Sequence, residues 1–432
     1  MLHRTRTWIF FVLVVALVFL SMSVVFAQDT TPAAVGIRPD APTYALHGPY
    51  WVGTMEFTIP DKDGKRPLPL TVWYPAVNPK GTAESVTYTY DPGPSLDPFT
   101  LQGQAISQAA PDAAKGPYPL VIFSHGNVGF RYFSLYLTEH LASYGFVVMA
   151  VDHVGNTLGY SDDPVLAGAD GSGFAESASM AMTYRPGDIQ REIDYAATLT
   201  AKDGALPNLI DTEHIGVVGH SYGGFTALAS AGARIDFTPV ASWCKQNADN
   251  KAVTQTSSYF IQCAVTLPAE DKIKAALGFK TGTGELWPAF DVKGVDAIVP
   301  LAPLGMVFTS GGAKSVTVPT LLMAGTNDTV LPIDLNAAAV YKDLSSQYKS
   351  LVVFQNGGHG MFSNKADEYL IAHAWYDYTS DLVWDMDRAH DLTNHFATAF
   401  LLNELKGDKE AAKALAPDAV KFPGIKYESQ GF

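Results

Sequence analysis

The chain reads as an α/β fold, a mostly parallel central sheet with helices on both faces and lid-like insertions. Three observations predict it. Short β-rich runs alternate with helical patterns along most of the 432 residues. The later runs are almost wholly apolar, as strands covered on both faces must be. One of them, in GVVGHSYGG at 216–224, ends abruptly in a serine held between glycines and passes straight into a helical pattern. His, Ser and Gly all weaken strands, so this stretch asks for a sharp strand-to-helix turn rather than a longer strand.

The elements follow in order. Residues 1–27 open with His3-Arg4-Thr5-Arg6, continue through an apolar run from Trp8 and close on Val25 and Ala27, the pattern of a secretory signal peptide cut after Ala27. The competing reading is an uncleaved membrane anchor, because the apolar run reaches Phe26. Both put the folded part outside the cytoplasm, secreted or extracytoplasmic. Residues 28–49, rich in Thr, Pro and Ala, read as a flexible lead-in without a fold. One domain is expected over 50–407, with strands at Thr54–Ile59, Leu68–Tyr74, Leu120–Ser124, Val147–Val151, Ile215–Gly219, Ala297–Leu301, Thr320–Ala324 and Leu351–Gln355. The first two alternate more than the rest. Helices are expected at Tyr132–Tyr144, Asp188–Leu199, Tyr222–Ala233, Ile333–Leu344 and Leu392–Leu405. Three stretches exceed a minimal sheet: Ser161–Tyr184, a lid-like insertion at about 235–290, and an aromatic insertion at about 366–387 carrying Tyr369, Trp375, Tyr376, Tyr378 and Trp384. Residues 408–432 are left as a C-terminal tail.

Composition narrows the function. With 47% hydrophobic, 12% aromatic and 17% charged residues the chain can bury a large core, which excludes a disordered protein. A net charge of −14 repels nucleic acid phosphates and anionic membranes, so no nucleic acid partner is expected. Losing Arg4 and Arg6 with the signal makes the remainder more acidic still, and without the signal no stable membrane insertion is expected. Cys244 and Cys263 fall in one otherwise polar segment. In an oxidising compartment they can pair; the alternative is two buried thiols.

The chemistry centres on Gly219-His220-Ser221-Tyr222-Gly223, a G-x-S-x-G match placed at a strand end and a helix start. Ser221 is the candidate nucleophile. A serine hydroxyl needs a base held by a third group, and in this arrangement the acid and then the histidine follow along the chain. The strand Thr320–Ala324 leads into GTNDTVLP, where Asp328 is the candidate acid; the competing reading is a turn-capping aspartate. The strand Leu351–Gln355 leads into NGGHGMF, where His359 is the candidate base and acid. His125 and His220, beside glycines, read as locally packed or hydrogen-bonded, and His390 and His395 as facing different ways on one helix. Oxyanion donors are expected from the backbone N–H of Tyr222 and of Asn127 in the turn SHGNVG, with Val128 the next candidate. No H-E-x-x-H or close Cys/His set argues for a metal, and the chemistry needs no cofactor.

Together these segments resemble the platelet-activating-factor acetylhydrolase and dienelactone-hydrolase-like branch of the α/β hydrolases. The likeness spans roughly Tyr50 to Gly407. It is closest in PLVIFSHGNVGFRYFSLYLTEHLASYGFVVMAVDH at 119–153 and in GHSYGG, and extends to YRPGDIQREIDYA at 184–196 and NHFATAFLLNELKGD at 394–408. It implies an α/β hydrolase fold and a serine esterase of short acyl esters, with Ser221 and His359 in the catalytic roles and the Asn127 and Tyr222 amides as oxyanion hole. The acid departs from the vertebrate acetylhydrolase pattern: Ile298-Val299-Pro300-Leu301-Ala302-Pro303 holds no carboxylate where that pattern has one, so Asp328 stands. Dienelactone hydrolases proper use a cysteine nucleophile, which Ser221 replaces. The expectation is a secreted serine hydrolase of small-molecule or lipid-like esters. The alternatives are a lipase- or polyesterase-type hydrolase of longer apolar esters, an acyltransferase or peptidase using the same three residues, and a catalytically silent ligand-binding homologue.

Overall fold

The computed structural model describes residues 31–93, 97–158, 172–280, 282, 284–365 and 379–432. The signal segment 1–27 and Tyr369, Trp375, Tyr376 and Tyr378 of the aromatic insertion lie outside the described residues.

The strands are β1 (Trp51–Ile59), β2 (Leu68–Ala76), β3 (Val86–Tyr90), β4 (Phe99–Gly103), β5 (Ile106–Ser107), β6 (Tyr118–Ser124), β7 (Val147–Val151), β8 (Ile210–His220), β9 (Val295–Leu301), β10 (Thr320–Gly325), β11 (Lys349–Phe354) and β12 (Ile425–Gln430). Ten of them form one sheet in the order β12-β11-β10-β9-β8-β6-β7-β2-β1-β5, while β3 and β4 make a separate hairpin. The block from β7 to β11 is parallel, with antiparallel strands β2 and β12 at its flanks. The main helices are α1 (Leu135–Ser143), α2 (Ser172–Thr200), α3 (Tyr222–Ser230), α4 (Thr238–Asn247), α5 (Glu270–Leu277), α6 (Ala337–Asp343), α7 (Met386–Lys406) and α8 (Lys409–Ala414). No helix among the described residues is long and apolar enough to cross a membrane.

Strand alternation sorts the core into two layers. On one face Leu120, Ile122 and Val217 meet Ile189 of α2, Phe225 of α3 and Val340 of α6. On the other, Val121, Phe123 and Val218 meet Leu137 and Leu141 of α1 and Phe396 and Phe400 of α7. Both faces are therefore dry, and every central strand must be apolar throughout.

Four expectations are corrected. The strand at 68–76 does not alternate: all but one of its residues are buried, because it lies between β1 and β7 with Val72 in one layer and Trp73 in the other. Residues 172–184 of the expected insertion are the first half of α2, which runs on through Pro186. The lead-in is bound rather than loose. Ile37 and Arg38 donate their N–H groups to the Asp391 carboxylate at 3.0 Å each, and Tyr44 donates to His395 Nδ1 at 3.2 Å. The tail is part of the sheet, since β12 pairs with β11 along its whole length.

The helix expected at 392–405 starts a turn and a half earlier, at Met386, where the Asp385 carboxylate caps the Arg388 N–H at 2.9 Å. Its early polar residues misled the pattern; two of them are buried against partners, His390 with Nε2 on Ser363 O at 2.8 Å and Asp391 under the Ile37 and Arg38 N–H groups. Asp385→Ala should cost about 1 kcal/mol, read as a lower denaturation midpoint, the usual cost of a lost cap.

The insertion at 235–290 is a set of short helices on the α3 side. Cys244 in α4 and Cys263 in a π-helical turn (Phe260–Thr266) form a disulfide with Cα atoms 5.6 Å apart. Phe237, Val265, Ile273 and Trp287 join the same core layer as α3.

Candidate active site

The turn after β8 holds a strained, non-glycine backbone at positive φ. Ser221 sits at φ 58° and ψ −114°, a region that costs a non-glycine residue about 1–3 kcal/mol unless its surroundings enforce it. They do: Ser221 N–H donates to Leu301 O at 2.9 Å, and Ser221 O accepts from Leu304 N at 3.1 Å and from Phe225 N at 3.0 Å. A Cβ on Gly219 would stand 2.2 Å from Gly223 O, and one on Gly223 would stand 1.8 Å from Ser124 O. Only glycines let α3 leave the sheet this steeply.

Asp328 and His359 follow β10 and β11, whose loops are tied by Thr326 N–H to Phe354 O at 3.0 Å and Asn327 N–H to Gly357 O at 2.9 Å. His359 Nδ1 lies 2.7 Å from Asp328 Oδ2. Asp328 Oδ1 accepts the N–H groups of Val330 at 2.9 Å and Leu331 at 2.7 Å. One oxygen of Asp328 thus caps the turn and the other meets the imidazole. The carboxylate is 0% exposed and the imidazole 7%, so the pair is dry except at the ring's outer edge. An Nδ1–H donated to a carboxylate leaves Nε2 as the acceptor.

Residues 121–372 match the alpha/beta hydrolase family. The chain belongs to that family. No curated protein matches it.

In this hydrolase His220 departs from its expected local role. Its Nε2 meets His359 O at 3.0 Å and the two rings lie 4.8 Å apart, so the residue before Ser221 is fastened to the histidine loop. Burial drives its pKa far down, which keeps it neutral. His125 keeps a local bond, Nδ1 on Gly126 O at 2.7 Å, but its Nε2 also accepts the distant His153 N–H at 3.2 Å, and His390 and His395 meet different partners.

Of the expected oxyanion donors, Tyr222 N–H is the first of α3 and has no acceptor within its own helix. Asn127 lies in a turn closed by Gly129 N–H on Gly126 O at 3.2 Å, with Val128 at φ 45°. This turn borders the serine, since a Cβ on Gly126 would lie 3.6 Å from Ser221 Cβ.

The sequence reading missed a buried polar network behind that turn. His153 links Ser124 Oγ, 2.8 Å from its Nε2, to Asp188 Oδ2, 3.0 Å from its Nδ1, and Arg66 grips Asp188 through two bonds of 2.6 Å. Ser124, His153 and Asp188 thus form a Ser-His-Asp chain, but they are 0–1% exposed against 6% for Ser221 and 8% for His359, so no substrate reaches it. Burial pushes His153 down to about 4. Burial alone would raise Asp188, but Arg66 and His153 hold it below the usual carboxylate range. The available signal was Asp152-His153 at the end of an apolar run and the YRPGD motif, with Arg185 and Asp188 one helical turn apart.

Proposed function

We propose that this hydrolase is an extracytoplasmic serine esterase that cleaves short-chain acyl or lipid-like carboxylic esters through an acyl-enzyme, in the manner of the acetylhydrolase-like branch it resembles. The observation that carries the reading is the 2.7 Å Asp328–His359 contact, presented beside the strained Ser221 turn by the His220 link. Ser221 Oγ attacks the ester carbonyl while His359 Nε2 takes its proton, and Asp328 steadies the imidazolium. The Tyr222 and Asn127 amides receive the charge on the carbonyl oxygen. His359 then protonates the leaving alkoxide; water, deprotonated by the same nitrogen, attacks the acyl carbonyl and frees the acid and Ser221.

The charge of −14 favours neutral over anionic esters. The Cys244–Cys263 disulfide supports an oxidising compartment, as does the amino-terminal signal pattern. Hydrolysis of p-nitrophenyl esters from acetate to long acyl chains is the test. Turnover should fall with acyl length, and a fluorophosphonate should label one serine per chain. Turnover rising with length would replace the short-acyl reading with a lipase-like one, and neither turnover nor labelling would leave a silent binding protein.

A further inference from the structure

We propose that Arg185 is a positioning residue for the oxyanion hole, clamping the peptide that carries the Asn127 N–H and setting a fixed positive charge behind it. The inference rests on the serine esterase reading above and adds a residue that does not touch the substrate.

Arg185 is wholly buried on α2. Its Nη1 donates to His125 O, and its Nη2 donates to Gly126 O at 2.8 Å and to Asn156 Oδ1. Asn156 in turn donates from Nδ2 to Asn127 Oδ1 at 2.7 Å. The guanidinium therefore holds two successive carbonyls of the turn directly and the next side chain through one relay. Gly126 O and Asn127 N–H belong to one peptide group, and in a trans peptide they point in opposite directions. Anchoring the carbonyl on the Arg185 side turns the N–H to the other side. A donor to a carbonyl also polarises the N–H of the same peptide, since hydrogen bonds in a chain strengthen one another.

The charge is a second argument. Among the described residues no carboxylate lies within ion-pair distance of Arg185, because Asp188, three residues on, is taken by Arg66 and His153. Among the described residues Arg185 Nε also has no hydrogen-bond partner. A buried cation without an anion at ion-pair distance is costly, and neutral donors could hold carbonyls as well. Its presence makes sense where negative charge develops during turnover, and the oxyanion would form on the far side of the clamped peptide. Burial pulls the guanidinium down to about 9, which leaves it charged at neutral pH.

The test compares wild type with Arg185→Lys, Arg185→Met and Asn156→Ala on p-nitrophenyl acetate, and measures inhibition by an alkyl trifluoromethyl ketone, which forms an anionic hemiketal on the serine. Losing a direct oxyanion donor costs about 10²–10³ in kcat, so losing its support should cost about 10–100-fold in Arg185→Met with KM within about two-fold. Arg185→Lys should recover part of the loss, Asn156→Ala should show a smaller one, and the ketone Ki should rise by the factor that kcat/KM falls. An unmoved Ki, a change confined to KM, or a lysine variant no better than methionine would overturn the proposal. If Arg185→Met does not fold, Arg185→Lys and Asn156→Ala decide by the same Ki and kcat criteria. Full turnover in Ser221→Ala would take down the esterase reading and Arg185's role with it. Turnover lost in Ser221→Ala but unchanged in the Arg185 variants would remove Arg185 alone.

Discussion

Ser221→Ala is expected to lower kcat by roughly 10⁶-fold and Asp328→Asn by roughly 10⁴-fold, with folding intact in both, on the scale seen when members of such a triad are removed. On the serine esterase proposal, the serine variant loses the nucleophile outright. The aspartate variant keeps its shape and fails for another reason. Oδ1 of Asp328 is fixed by the N–H groups of Val330 and Leu331, so an amide at this position keeps its oxygen there and turns its NH₂ toward His359 Nδ1. That reverses the ring: Nδ1 becomes the acceptor, Nε2 carries the proton, and no base faces Ser221. Turnover normalised to correctly folded protein measures both, with the thermal midpoint as the folding control. An Asp328→Asn variant that keeps more than about a tenth of kcat would remove Asp328 from its role, the expected loss being roughly a thousand times larger.

The sheet and the three candidate residues were legible for one physical reason. A parallel sheet covered on both faces forces its strands to be apolar, and the strands' carboxyl ends are then marked by the abrupt polar turns holding Ser221, Asp328 and His359. Where burial does not force composition, the signal fails. The edge strand Ile425–Gln430 alternates half-buried and exposed residues and looks like a tail until β11 is seen beside it. The first half of α2 is built from Gly, Ser, Ala and Met, weak in pattern, and is ordered by tertiary contact. Arg185, Asp188 and Arg66 look like surface charges in a sequence; only the fold reveals that Arg66 grips Asp188 and that Arg185 holds the His125–Asn127 turn in the interior. The lead-in shows the same limit, since its hold depends on Asp391 and His395, some 350 residues away in sequence.

Glu139→Gln is expected to raise stability by less than about 1 kcal/mol at pH 5 and by about 3 kcal/mol at pH 8. Glu139 lies buried on α1, and burial pushes its carboxyl up to about 7 against 4.5 for the free group. Its partners, Gln104 N–H at 2.8 Å and Tyr88 O–H at 2.7 Å, pull the other way but do not restore it, and Glu84, paired with His47 at 3.1 Å, adds repulsion. The sign follows from proton binding. Between about 4.5 and 7 the folded state holds a proton that the unfolded chain has released, so this group's contribution to stability falls as pH rises through that window and stays low above it. An amide does not titrate, and it keeps both contacts by accepting from Gln104 and donating to the Tyr88 oxygen. Urea denaturation of both proteins at pH 5 and pH 8 reads the difference, and one that does not grow with pH would mean that Glu139 ionises as an exposed carboxyl does. The effect bears on the site as well. The amino end of α1 holds the histidine loop, with Ser134 Oγ and Tyr136 O–H both donating to Phe362 O, three residues beyond His359. Relieving the buried charge on this helix should therefore extend the alkaline range over which the loop, and turnover with it, persists.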